Sequence, residues 1–265
     1  MNRFVVRVLV IVWLALAASA RADDARPAAL RDVGIDQHLD QRLPLDLSFR
    51  DEDGKVVRIG DFFGAKPVIL IFAYYHCPML CPLALEGMVR SLRPLALGAG
   101  KEFDVVTVSI DARETPAQAA QSKKKLLSQY GRQDAASGWH ALVGDAESLR
   151  SLTEAAGFHY RYEAESDQFA HATALVVLTP QGRISRYLYG IDYAPRDVKL
   201  ALVEASAGKI GTLADQLLLF CYHYDPATGK YGPAAMTAVR VAGALTVMIL
   251  GGFIAFQIRH EERGA

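Results

Sequence analysis

Two cysteines carry the clearest chemistry in this chain. Cys77 and Cys81 stand in YYHCPMLCPLA, Tyr74 to Ala84, three residues apart and each followed by a proline. An apolar run, PVILIFAY from Pro67 to Tyr74, leads into them, and a helical pattern begins at Pro82. A strand-to-helix junction offers unpaired backbone N–H groups and the positive end of a helix dipole, and both favour anions. A thiol placed there has a lowered pKa. Pro82 suits a first helical turn, where a missing N–H costs little. If the turn is helical, i and i+4 put both sulfurs on one face. Such a pair can close as a disulfide or pinch a soft metal; the bland alternative is two inert buried thiols.

The elements that must hold this motif follow from pattern. The pattern changes from Leu43, and LDLSFRDEDGKVVRI, Leu45 to Ile59, alternates around a turn at Asp51 to Gly54 and predicts a β-hairpin. PVILIFAY and FDVVTVSI (Phe103–Ile110) are continuous apolar runs, as expected of strands buried on both faces. Leu85, Val89 and Leu92 line one helical face, and Pro94 ends the run. Pro116–Tyr130 predicts a polar helix whose Lys123, Lys124 and Lys125 form a solvated face. A short strand is expected at Trp139–Val143 and a helix at Ala146–Ala156. Strands at Ala172–Leu178 and Arg183–Tyr189 flank a turn, and a last helix runs Pro195–Ala205. The order predicts an α/β layer architecture, a central mixed sheet flanked by helices, which is also the element order of a thioredoxin-like fold.

Two thiolates underfill most metal sites. Zinc wants four ligands. Copper(I) is soft, can be content with three, and is selected by thiolates. Of the seven histidines, His171 stands out, in QFAHATALVVL just before an apolar strand. In a thioredoxin-like sheet that strand start lies beside the cysteine loop. A thioredoxin carries a proline there, and no proline lies between Gln168 and Leu178. His76, beside Cys77, either points elsewhere or tunes the thiolate, a supporting place. Asp111 either caps the helix near Pro116 or supports the site. Cys221 and His223 put a thiol and an imidazole two apart, a further candidate for a metal or a partner. The bland reading is a small buried residue among Phe220, Tyr222 and Tyr224.

YYHCPMLCP, VSIDARETP and the single histidine in QFAHATALVVLTPQGRI resemble the Sco/SenC family, over about Leu43 to Ala205. The resemblance implies a membrane-tethered, thioredoxin-like copper protein serving cytochrome c oxidase assembly. It implies one copper(I) per chain on Cys77, Cys81 and His171, with copper(II) a further option, and a supporting role for Asp111. It implies a metallochaperone rather than an enzyme. The expected acceptor is the dinuclear copper site of oxidase subunit II, and the expected helpers are a periplasmic thioredoxin-like reductase and another copper chaperone. LLLFCYHYDPATGKYG resembles a bacterial branch, here with its anchor at the C-terminus. The rival functions are a periplasmic thiol–disulfide oxidoreductase or peroxidase using Cys77 and Cys81, and a copper or redox sensor. Against the enzyme stand the three-residue spacing, not C-x-x-C, and Tyr74 where a peroxidase would want threonine.

The ends of the chain set the compartment. Arg3 and Arg7, an apolar run from Val8 to Ala18, and Ala20-Arg21-Ala22 form a secretory signal pattern over residues 1–22. Residues 23–42 read as a linker, 43–206 as the copper-binding domain and 207–238 as a juxtamembrane connector. Val241–Ile258 is uncharged and, at helical rise, spans about 27 Å, so 239–259 reads as a single membrane span. Residues 260–265 form a cytoplasmic tail, which places the domain on the periplasmic side of the inner membrane. Cys77, Cys81 and Cys221 are too few for a disulfide scaffold in an exported domain. With 29 basic and 29 acidic residues, the charge balance argues against a nucleic-acid partner.

Overall fold

The computed structural model describes residues 33–77, 80–211, 224–225, 230–231 and 240–253. In chain order the elements are β1 (Gly34–Ile35), β2 (Ser48–Arg50), β3 (Val56–Arg58), β4 (Val68–Ala73), α1 (Leu80–Leu92) and β5 (Asp104–Ser109). Then follow α2 (Pro116–Tyr130), β6 (Trp139–Leu142), α3 (Ala146–Ala155), β7 (Phe158–Glu163), β8 (Gln168–His171), β9 (Ala174–Leu178), β10 (Ile184–Tyr189) and α4 (Pro195–Ser206).

The two apolar runs become neighbouring parallel strands at the middle of a five-stranded sheet, ordered β10-β9-β4-β5-β6. Every residue of β4 and β5 is buried. A strand covered on both faces needs apolar side chains in both directions, which explains the missing alternation. β6 continues the parallel set, whereas β9 joins β4 antiparallel and β10 returns beside it. The sheet is therefore mixed, as the element order predicts.

The helices carry local start and stop signals. Asp145 caps α3 by accepting from the N–H groups of Glu147 and Ser148 at 3.0 and 2.8 Å. Gln118 reaches back to the Thr115 N–H at 2.6 Å, and Pro116 opens α2. Gly131 ends α2 in the left-handed conformation at φ 74°, which a side chain would strain. On α1, Leu85, Met88, Val89 and Leu92 form one buried face.

Two features depart from the sequence expectation. Residues 33–42 belong to the fold rather than to a linker. β1 pairs with β7, and the Asp36 N–H donates to the Gly157 carbonyl at 2.7 Å. The hairpin β7–β8 also goes unpredicted, and with β1 it makes a second, three-stranded antiparallel sheet. Its burial is mostly intermediate; Phe158, Tyr160 and Tyr162 do alternate with His159, Arg161 and Glu163, a strand signal left unread in the sequence, whereas QFAH is too short to show a period. Phe72 of β4 meets Phe158 of β7 with ring centroids 4.7 Å apart, linking the two sheets.

The apolar run at the C-terminal end is helical over 240–253. Among the described residues no helix is long and apolar enough to cross a membrane. Residue 239 and residues 254–259 lie outside the described residues, as do the signal region 1–22, the tail 260–265 and the pair Cys221 and His223.

Phe72 is 1% exposed and bridges the sheets. Phe72→Ala should lower unfolding stability by about 3–5 kcal/mol, the usual cost of deleting a core aromatic. Denaturant titration of the full chain checks this; a loss under about 1 kcal/mol would mean the second sheet does not rest on that contact.

Candidate metal centre

β4 ends at Ala73, and the next four residues turn into the approach to α1. Tyr74 and Tyr75 face opposite ways. The Tyr75 hydroxyl donates to the carbonyls of Thr107 and Leu142, at 3.2 and 3.0 Å, anchoring the turn on β5 and β6. The Tyr74 side chain instead hydrogen-bonds Cys77. The Cys77 N–H donates to the Tyr74 carbonyl at 3.3 Å, closing the turn.

Cys77 and Cys81 are free and buried, with 9% and 1% exposure. Cys81 lies in the first turn of α1, where backbone N–H groups have no helical partner. Its N–H donates to Cys77 Sγ at 3.4 Å. The helix start thus does what the sequence expects of it: it turns an unpaired donor toward a sulfur.

His171 ends β8 and reaches the same place from the second sheet. Its Nε2 is 3.0 Å from Cys81 Sγ. Nδ1 faces the Ala172 carbonyl at 2.7 Å, and a carbonyl can only accept, so Nδ1 donates there and orients the ring with Nε2 toward the sulfurs. Tyr74 and Phe158 flank the ring, with centroids 6.0 and 5.9 Å away. Among the described residues no group of three or more His, Cys, Asp or Glu side chains stands as a ready-made metal cage. Cys77, Cys81 and His171 form instead a hydrogen-bonded chain, which a metal would enter by replacing hydrogen bonds.

The two thiols pull each other apart in acidity. Cys77 is drawn down to about 3, first by the hydrogen bond from Cys81 and, against the opposing effect of burial, by His171 and Tyr74. Cys81 is pushed up, first because its proton is held against the Cys77 sulfur and then by burial. The pair carries one negative charge and keeps one proton. Two thiolates and a neutral imidazole, walled by aromatic rings, suit a soft monovalent ion better than a hard one.

The other sequence candidates take different places. His76 has a side chain 69% exposed and turns to Glu114 and Gln118, away from the sulfurs. Asp111 is not the helix cap, a place that belongs to Thr115. Its carboxylate receives Arg113 Nε at 2.8 Å and Nη2 at 2.7 Å. The same guanidinium donates to Asp167 at 2.8 Å and lies over the Tyr162 and Phe169 rings, 5.1 and 5.9 Å from their centroids. Phe169 packs on Tyr74 at 5.4 Å. Asp111 therefore supports the centre at a distance, by tying the hairpin that carries His171 to the loop after β5.

Sequence reasoning missed Arg113 and Glu114. The Glu114 carboxylate accepts from the N–H groups of Tyr75 and His76, both at 2.8 Å, and from Ser109 Oγ at 2.6 Å. The signal was in VSIDARETP, but an acid just before Thr-Pro also reads as an ordinary helix-start residue.

Two outcomes follow from these charges. Burial raises the Asp111 carboxyl, but the hydrogen bonds and charge of Arg113 outweigh it, and it titrates below its ordinary value. A depressed carboxyl stabilises the fold above its unfolded pKa, and that stability is lost as pH falls through the folded value. Thermal stability should fall below about pH 4, and Asp111→Asn should flatten that decline; parallel curves for the two proteins would contradict the pairing. For the thiols, iodoacetamide should label Cys77 before Cys81 in the reduced, metal-free protein. Its rate should stay level from about pH 5 to 8, where an ordinary thiol with pKa about 8.5 speeds up with each pH unit. A rate that climbs across that window would show Cys77 to be an ordinary thiol.

Comparison with known proteins fits this arrangement. The sequence profile of SCO1/SenC matches residues 36–204. The mitochondrial Protein SCO2 homolog of Bos taurus is 28% identical over 187 residues, covering 66% of this chain and 62% of that protein. A candidate copper-binding protein of Stutzerimonas stutzeri is 30% identical over 124 residues, 45% of this chain and 56% of its own length. The chain thus spans less than two thirds of either curated relative. Among solved structures, a candidate electron transfer protein of Aquifex aeolicus VF5 superposes with a TM-score of 0.57 at 28% identity, covering 64% of this chain and 95% of that one. With the profile matched across both cysteines, His171 and nearly all of the α/β unit, the chain belongs to the SCO1/SenC family.

Proposed function

We propose that this protein is a copper(I) metallochaperone that carries its ion on Cys77, Cys81 and His171. The observation that supports it most is the meeting of His171 Nε2 and Cys81 Sγ at 3.0 Å, with Cys77 Sγ accepting from the Cys81 N–H at 3.4 Å. The curated relative with a copper-binding name adds weight. Copper(I) is the cargo. On loading, Cys81 gives up its proton to water and three soft donors replace the hydrogen-bonded chain. On delivery, incoming thiolates of an acceptor displace these ligands one at a time, and a proton returns to Cys81. The site is half-walled, with His171 only partly buried, so an acceptor has a side from which to approach.

The resemblance directs the cargo to the dinuclear copper site of cytochrome c oxidase subunit II. In an oxidising compartment the Cys77–Cys81 pair, which holds one charge and one proton, would close by losing two electrons and that proton, so the proposal includes a thioredoxin-like reductase that returns them. A tethered, exported domain suits this role. The helix at 240–253 supports the tether, because Val241, Leu245, Val247, Met248, Ile249, Leu250 and Phe253 are all exposed. A face with so much open apolar surface calls for a covering medium, and lipid is the one proposed.

A second reading, in which the dithiol chiefly reduces the acceptor's cysteines, draws on the low pKa of Cys77 beside a protonated Cys81. One experiment separates the two. The reduced full chain is given copper(I) and examined by X-ray absorption. One ion with two sulfurs and one nitrogen is expected, with the nitrogen lost in His171→Ala. Affinity in that variant should fall by more than the about 10–100-fold typical of losing an outer-shell partner. Copper binding unchanged by His171→Ala, together with rapid reduction of a model disulfide, would favour the reductant instead.

A further inference from the structure

We infer that Glu114 is the positioning residue of the cysteine turn, holding Tyr75 and His76 so that Cys77 stays covered and aligned with Cys81 until a partner engages it. The inference concerns the same centre and, for its copper arm, rests on the proposed chaperone reading.

The Glu114 side chain is 3% exposed. A buried carboxylate normally needs a cation. Among the described residues its only ion-pair partner is the His76 ring at 3.4 Å, which is itself 69% exposed. Asp111, three residues earlier, has Arg113 for that purpose. Glu114 is instead satisfied by donors of the turn itself: the consecutive N–H groups of Tyr75 and His76 at 2.8 Å, and Ser109 Oγ at 2.6 Å. Its own N–H is fixed on the Asp111 carbonyl at 3.1 Å. The carboxylate is therefore rigid, and it grips the backbone one residue before Cys77.

The chemistry demands both oxygens. One accepts from His76 and the other from Tyr75. A glutamine of the same shape would offer one carbonyl oxygen and turn an NH2 group toward a backbone N–H, so one of the two donors would be left facing another donor. The turn would open at that residue. Cys77, 9% exposed in the closed turn, would be uncovered and its contact with the Cys81 N–H would lengthen. Ser109 is a control, since removing its hydroxyl frees one acceptor position on Glu114 and the Asp111 N–H that donates to it at 3.1 Å, but leaves both turn bonds in place.

The test compares Glu114→Gln, Ser109→Ala and a core variant, Val105→Ala, chosen because Val105 is fully buried at the far end of β5. Thermal midpoints are recorded first, so that a general loss of stability can be separated from a local one. In the reduced, metal-free full chain, iodoacetamide labelling of Cys77 should rise about tenfold or more in Glu114→Gln, the factor for losing one charge-assisted hydrogen bond. Ser109→Ala and Val105→Ala should label at the wild-type rate, even where Val105→Ala is equally destabilised. Retention of copper(I) against a competing chelator should fall about tenfold or more in Glu114→Gln alone. Wild-type labelling in Glu114→Gln, or an equal rise in Val105→Ala, overturns the inference. If the wild-type chain retains no copper(I), the chaperone reading fails, and the labelling arm still decides the role of Glu114.

Discussion

The centre depends on one shared proton. Two thiols this close cannot both ionise cheaply, so one takes the charge and the other keeps the hydrogen. Geometry decides which. Cys77 receives an N–H from the opening turn of α1 and a hydrogen bond from Tyr74, whereas Cys81 sits deeper, at 1% exposure. Charge accumulates on the more accessible sulfur, and the proton stays on the buried one. His171 meets the Cys81 sulfur with Nε2, from the second sheet. The reduced, metal-free state is thereby held together by hydrogen bonds along the same contacts that a soft ion would use.

Everything around the pair keeps that geometry from relaxing. β4 and β5 are buried on both faces and cannot shift without opening the core. Tyr75 pins the turn from below, through two carbonyls of neighbouring strands. Glu114 pins it through its amides. His171 has a separate support. It lies at the end of a hairpin whose strands are only partly buried, and that hairpin is joined to the main sheet by the Phe72–Phe158 contact and by Arg113. The sulfurs thus rest on a rigid foundation and the imidazole on a more open one. A partner that must insert a ligand would meet less resistance on the imidazole side.

The acidic loop after β5 shows how similar residues take different work. Asp111 and Glu114 are both buried, and they lie three residues apart. Asp111 is paired with an arginine that also stacks on two aromatic rings, so it acts outward, on the hairpin. Among the described residues Glu114 has no arginine partner, and it acts inward, on the cysteine turn. Neither touches a sulfur through a hydrogen bond, yet each holds one of the two halves that meet at the centre.

The local pattern of the chain was enough for the main sheet, its flanking helices and the placement of the thiols at a strand-to-helix junction. Each of these follows from near-neighbour rules: continuous apolar runs for β4 and β5, Pro116 and Gly131 at the ends of α2, and unpaired donors at a helix start. His171 was legible from its position before a strand and from the family resemblance of QFAHATALVVLTPQGRI, which set it ahead of His76 despite the adjacency of His76 to Cys77. The hairpin β7–β8 went unread although Phe158, Tyr160 and Tyr162 alternate with polar residues, since QFAH is too short to carry a period and β1, which pairs with β7, lies in a stretch with none. Which acid grips the turn, which supports the hairpin and how closely His171 meets the sulfurs were decided by tertiary structure alone. Those choices depend on contacts between residues some forty to ninety positions apart, such as Tyr75 with Glu114 and Cys81 with His171, and spacing along a chain carries no distance in space.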